Sequence, residues 1–145
     1  MIILKAINHE NEQQCLQLSV HNDQQEFIPS NLESLTLAKV YEKTYPMGIY
    51  CNDIMIGFCM WGKDVVNDRW KIFRFMIDQH FQGEGYGKRA LQTVLEHIHA
   101  QQVATRLYIS YHTSNIHAAH LYMKAGFIKD YDPRKHMTAA TYLFN

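Results

Sequence analysis

The segment from Phe73 to Leu91, F-R-F-M-I-D-Q-H-F-Q-G-E-G-Y-G-K-R-A-L, constrains the rest of the chain most. Apolar side chains at Phe73, Phe75 and Ile77 alternate as in a half-buried strand, and helical periodicity begins directly after a glycine cluster. A strand that passes into a helix this abruptly needs backbone freedom and room for close approach, which Gly83, Gly85 and Gly87 supply. The start of the helix leaves unpaired N–H groups at the positive end of its dipole. Such a turn is suited to an anion, most naturally a phosphate.

Two familiar phosphate loops do not match. Lys88 is followed by Arg89, where a Walker loop requires Ser or Thr, and the glycines fall two apart, where a dinucleotide fingerprint needs G-x-G-x-x-G. The pattern that does match is Q-x-x-G-x-G, at Gln82, Gly85 and Gly87. A strand-to-helix turn serving geometry alone accounts for the same residues, so a second signal is needed.

Taken in order, Ile2–Ile7 reads as a strand and Asn11–Val20 as a weakly amphipathic helix. After a polar run from His21 to Pro29, Ser30 or Asn31 is positioned to cap a second helix that extends to about Tyr45, with Pro46 closing it. Met47–Trp61 forms a hairpin about Asn52-Asp53, Gly62–Asp68 a loop, and Arg69–Ile77 the strand that enters the glycine turn. The following helix keeps Ala90, Leu91, Val94, Leu95 and Ile98 on one face. Arg106–Tyr111 is a further strand, and a helix from about Ile116 to Lys124 stops at Gly126. Phe127–Tyr131 and His136–Phe144 finish the chain as two strands. The order of elements predicts an α/β fold, a mixed sheet with helices packed on it, in one domain spanning residues 1–145.

The second signal is Ser114-Asn115-Ile116-His117-Ala118-Ala119-His120-Leu121-Tyr122-Met123-Lys124-Ala125-Gly126-Phe127, which matches N-x-x-A-x-x-L-Y-x-x-x-G-F. With the glycine turn some thirty residues before it, the chain resembles the GCN5-related N-acetyltransferases (GNAT), best over Met47–Phe127. The resemblance implies a splayed sheet, in which the strands Arg69–Ile77 and Arg106–Tyr111 part at one end, and acetyl-coenzyme A as cofactor. It implies that backbone groups of Met76 and Ile77 bond the pantetheine and that the N–H groups of Gln82, Gly83, Glu84, Gly85, Tyr86, Gly87 and Lys88 hold the pyrophosphate. Asn115 would touch the pantetheine, and Tyr122 would sit beside the thioester sulfur as general acid.

Beyond the superfamily, Q-E-F-I-P-S-N-x-E-S-L with F-R-F-M-I-D resembles the bacterial diamine, or spermine/spermidine, acetyltransferases. A polyamine acceptor would then meet carboxylates, for which Glu26, Glu33 and Asp78 are candidates and Glu42 a further one; Glu26 and Asp78 are also candidate bases. For Glu26 and Asp78 the plainer reading, a solvated carboxylate, is slightly favoured. Other amines, such as an aminoglycoside or a protein N-terminus, remain open, as does a non-catalytic sensor of acetyl-coenzyme A.

The 14 basic and 14 acidic residues balance, which offers no electrostatic footprint for nucleic acid. No apolar run reaches membrane-span length, and the start of the chain lacks a signal-peptide pattern, so a cytoplasmic protein is expected. Three cysteines without a C-x-x-C pair agree with a reducing compartment. His117 and His120 are three apart on a predicted helix, but no Cys or Glu nearby completes a zinc site, and no metal is expected. The superfamily resemblance also implies a homodimer.

Overall fold

A strand flanked on one side by an antiparallel neighbour and on the other by a parallel one organises the molecule. In the computed structural model, which describes residues 1–145, that strand is β4, Arg69–Ile77. The preceding elements are β1 (Ile2–Ala6), α1 (Glu12–Gln17), α2 (Asn31–Val40), β2 (Thr44–Cys51) and β3 (Ile54–Asp64). After β4 come α3 (Tyr86–Ala100), β5 (Arg106–His112), α4 (Ile116–Ala125), β6 (Ile128–Asp130) and β7 (Met137–Leu143). The seven strands form one sheet in the order β1-β2-β3-β4-β5-β7-β6. The predicted succession of strands and helices is the observed one, and the fold is mixed α/β.

Local chemistry fixes the boundaries. The Ser30 hydroxyl accepts from the Glu33 N–H at 3.2 Å, starting α2. The Asn115 side chain accepts from the Ala118 N–H at 3.2 Å and starts α4, which Gly126 ends with φ +109°. Asn52 and Asp53, at φ +50° and +67°, close the β2–β3 hairpin in the mirror-image turn that matches strand twist.

Three boundaries differ from the sequence expectation. The first helix is confined to Glu12–Gln17, because Leu18 turns extended. The second ends at Val40 and not near Tyr45: Tyr41 is extended and Lys43 has φ +56°, so the chain has already reversed when Pro46 arrives inside β2. Pro46 is tolerated there because its carbonyl accepts from Ile7 just beyond the last β1–β2 pair, Ala6 with Met47. Its missing N–H therefore faces the side where that ladder stops. Finally, β3 continues through Gly62 and Lys63 to Asp64, because both residues pair with β4.

The two faces of the sheet carry separate cores. Ala90, Leu91, Val94, Leu95 and Ile98 of α3 pack on one face against Ile49, Ile72, Leu107 and Ile109. Cys15 and Leu35, from α1 and α2, pack on the other against Phe58, Met60 and Met76. Fully burying one such Leu or Ile contributes roughly 1.5–3 kcal/mol. Both clusters therefore hold β4 in place, one from each side. No helix is long and apolar enough to cross a membrane.

Two irregularities of β4 make the site. Trp61 pairs with Ile72 and Met60 with Arg74, which leaves Phe73 as the extra residue of a β-bulge. And β4 meets β5 through a single pair, Lys71 with Tyr108, after which the parallel strands diverge.

Candidate active site

The divergence of β4 and β5 opens a cavity of about 530 Å³. Its walls are β4 from Lys71 to Ile77, β5 from Ile109 to His112, the start of α4, and the segment Phe27–Pro29 that leads into α2. That volume is in the range of small-molecule sites. At one end lie Gln82, Gly83 and Gly87 of the glycine turn; towards the other lie Lys71, Arg134 and Met137.

At the glycine end, Gly83 and Gly85 have φ +82° and +83°, a left-handed conformation costly for other residues. A Cβ at either would meet nothing within 4 Å, so these two glycines are required for their backbone angles and leave the space in front of the turn clear. None of the N–H groups from Gln82 to Lys88 has a hydrogen-bond partner in the protein. A run of unpaired amides at the start of a fifteen-residue helix, next to open space, has the donors and the dipole to accept an anion such as a diphosphate.

Gln82 has a further role that the sequence did not reveal. Its side-chain amide donates to the Ile77 carbonyl at 2.8 Å and pairs reciprocally with the Gln24 amide at 3.0 Å. It thus ties the glycine turn to the end of β4 and to the segment before α2.

The backbone of β4 is also more selective than expected. Asp78 donates its N–H to the Ile56 carbonyl on β3, so by alternation Met76 also turns its peptide groups towards β3. Phe75 and Ile77 are the residues whose peptide groups face the gap. This corrects the expectation for Met76, whose atoms line the cavity but whose backbone belongs to the ladder, and adds Phe75.

Tyr122 is buried, reached from α4, and lies against Tyr111 and Phe127 with ring centroids 5.6 Å away in each case. Burial, with a smaller contribution from Tyr111, raises its pKa well above that of an ordinary phenol, so it keeps its proton. Tyr111 is raised too, by burial, and its hydroxyl has no protein partner. Both rings line the cavity, as does Asn115.

The three candidate acceptor carboxylates are not brought together. Asp78 is buried, and its oxygens accept from the Ser19 N–H (2.9 Å) and the His80 N–H (3.1 Å), with the His80 ring 2.8 Å away. Burial pushes its pKa up, but these hydrogen bonds outweigh it and hold the carboxyl below its usual range. It anchors the loop after α1 to the end of β4. Glu26 and Glu33 are exposed, and neither lines the cavity.

What lines the end of the cavity away from the glycine turn is apolar and cationic. The bulge at Phe73 places Phe73 and Arg74 together on the α2 side; Phe73 packs with the core beneath α2, and the charge of Glu33 reaches Arg74. The Lys71 ammonium sits 5.3 Å from the Phe73 ring centroid, and Phe27 lies 5.7 Å from His112 across the cavity. No signal in the sequence singles out Lys71, Phe73, Arg74 or Tyr111 as lining the cavity. A strand alternation announces which residues face one way, but a bulge that resets it leaves no signature in spacing.

The comparisons with known proteins agree with this geometry. Residues 6–127 match the model of the acetyltransferase (GNAT) family. The chain belongs to the GNAT family. It is an acetyl-coenzyme A-dependent N-acetyltransferase. It is 34% identical over 132 residues to the spermine/spermidine N(1)-acetyltransferase of Bacillus subtilis (strain 168), covering 87% of each chain. Solved structures share the fold at low identity. Spermidine N-acetyltransferase from Vibrio cholerae, in complex with CoA and spermine, superposes with TM-score 0.76 at 14% identity, covering 98% of this chain and 95% of that one. An acetyl transferase from Salmonella typhimurium that modifies the N-terminal serine of a 50S ribosomal subunit protein gives TM-score 0.75 at 17% identity, over 99% and 95%. Two such different acceptors on one scaffold mean that this acetyltransferase's fold does not by itself choose its acceptor.

Proposed function

We propose that this acetyltransferase transfers an acetyl group to a primary amine of a polyamine such as spermidine or spermine, by direct attack with both reactants bound. The observation that carries the transfer chemistry is the position of Tyr122, a buried protonated phenol on the wall of the cavity that opens where β4 and β5 part. The polyamine acceptor is supported by the spermine/spermidine relative, which is similar along most of its length.

The residues fit acetyl-coenzyme A. Unpaired amides from Gln82 to Lys88 would receive its diphosphate, the cleft-facing backbone of Phe75 and Ile77 its pantetheine, and Asn115 lies at the same wall. The cofactor supplies an acyl group activated as a thioester. In the transfer, the acceptor nitrogen bonds to the acyl carbon as the carbon–sulfur bond breaks. One proton leaves nitrogen and one reaches sulfur, the latter from the Tyr122 hydroxyl, which recovers it through water from the amine side. The distal ammonium groups of a polyamine would meet Glu26 and Glu33, which lie beside the segment Phe27–Pro29 and at the start of α2.

A coenzyme A release assay over spermidine, spermine, putrescine, an aminoglycoside and a peptide tests the acceptor. The polyamines are expected to have the highest kcat/KM. Turnover confined to the peptide or the aminoglycoside would replace the acceptor and keep the chemistry; coenzyme A binding without turnover of any amine would instead indicate a sensor.

A further inference from the structure

The cavity presents no carboxylate to the acceptor amine, and its nearest fixed charges are positive. Among the lining residues the charged side chains are Lys71, Arg74 and Arg134, with His112 and His117 and no Asp or Glu. Arg134 is neutralised by Asp132, to which it donates at 3.0 and 2.7 Å. Lys71 and Arg74 have no such partner. The Arg74 Nη1 donates only to the carbonyl of its own neighbour Phe73, and its buried Nε has no acceptor. Lys71 pairs with no carboxylate within salt-bridge distance. The surroundings are otherwise accounted for. Asp64 on β3 and Glu33 on α2 act on Lys71 and Arg74 from a distance, Arg69 on β4 adds a further positive charge, and Tyr111 on β5 and Tyr122 on α4 are protonated phenols.

For an enzyme whose acceptor arrives as an ammonium ion, this arrangement opposes binding and has a chemical use. An alkylamine attacks only when neutral, and its reference pKa is roughly 10.4. We propose that Lys71 and Arg74, placed on one side of β4 by the bulge at Phe73, disfavour the ammonium form of the bound acceptor and so raise the fraction of it that is neutral and able to attack, without a dedicated carboxylate base. Before attack the ammonium proton passes to solvent, leaving a lone pair on nitrogen, and no other bond changes. A cation within several ångströms in a partly desolvated site lowers an amine's pKa by about one unit. Lys71 shows the same influence in part: burial above all, with smaller contributions from neighbouring guanidinium groups such as Arg74, lowers its own pKa against the opposing charge of Asp64. The inference rests on the acyl-transfer reading and gives two side chains that reading does not use a positioning role.

The test is the pH dependence of kcat and KM for spermidine in the wild-type protein and in Lys71→Met, Arg74→Met and Arg74→Lys. In either Met variant the rise of kcat with pH should move up by about one unit, and at neutral pH both kcat and KM should fall by about tenfold, leaving kcat/KM nearly unchanged. Arg74→Lys, which keeps the charge, should retain the wild-type profile. A fall in kcat with no displacement of the pH profile would indicate a merely structural role and overturn the proposal. A rise in KM in Arg74→Met would overturn it differently, by showing that the guanidinium binds an anionic part of the acceptor. If wild-type protein acetylates no amine at any pH, the acyl-transfer reading itself fails, and this one with it.

Discussion

Tyr111 and Tyr122 face one another across the junction of β5 and α4, their rings 5.6 Å apart and tilted by 39°. They differ in what surrounds them. Tyr122 is packed between Tyr111 and Phe127, whereas the buried hydroxyl of Tyr111 finds no partner. An orphaned buried hydroxyl costs about 1–3 kcal/mol relative to a satisfied one. Tyr111→Phe, which removes that oxygen and keeps the ring, should therefore leave the melting temperature unchanged or raise it slightly. A loss greater than about 1 kcal/mol would mean that the hydroxyl has a partner in solution.

Gly85 sets the entry to α3 with φ +83°, in surroundings open enough that an added methyl group touches nothing. Gly85→Ala should destabilise through backbone strain alone, by roughly 1–2 kcal/mol, and should weaken coenzyme A binding as the amide cradle loses its shape. Calorimetric titration with coenzyme A reads the second effect. Unchanged affinity would mean that the diphosphate is held elsewhere.

Gly57 supports the cleft from behind. A Cβ there would come within 2.5 Å of the Met76 carbonyl on the adjacent strand, which must then move. Gly57→Ala should raise the coenzyme A Kd and lower the midpoint of urea unfolding, because β4 is shared by the binding gap and by both cores. Gly83→Ala makes the contrast, since it lacks any clash and acts only through its φ of +82°.

Asp78 couples the site to acid stability. Its folded-state pKa is depressed below the unfolded value of roughly 3.9, so its contribution is complete above that value and disappears as pH falls through the folded pKa. Asp78→Ala should cost about 1–3 kcal/mol at neutral pH, and the deficit relative to wild type should shrink below about pH 4. Urea unfolding at pH 7 and at pH 3 measures both. A deficit independent of pH would assign the loss to packing.

What was legible in the sequence follows physical range. Gly85 and Gly126, with Ser30 and Asn115, act on peptide groups a few residues away, and their consequences could be read from spacing alone. The glycine turn and the Asn115 cap of α4 are accordingly readable from the sequence. The opposite end of the cavity is not. It depends on the bulge at Phe73 and on the packing of Phe27 opposite His112, relationships between distant segments that no local period encodes. Asp78 shows the reverse: a carboxylate at the end of the central strand reads either as chemistry or as a solvated group, yet it is buried and its oxygens are held by Ser19 and His80. Pro46 is ambiguous for a related reason, since a proline stops a helix but is also accepted in a strand where the neighbouring ladder ends and no N–H is needed.

Turnover of Tyr122→Phe, measured beside its affinity for coenzyme A, bears most directly on the whole account. Removing the hydroxyl from a ring that stays packed should lower kcat by about 10²- to 10⁴-fold while leaving the coenzyme A Kd within about twofold of wild type. Wild-type kcat in that variant would contradict the assignment of Tyr122 as the proton donor, and with it the reading of the cavity between β4 and β5 as the place where acyl transfer occurs.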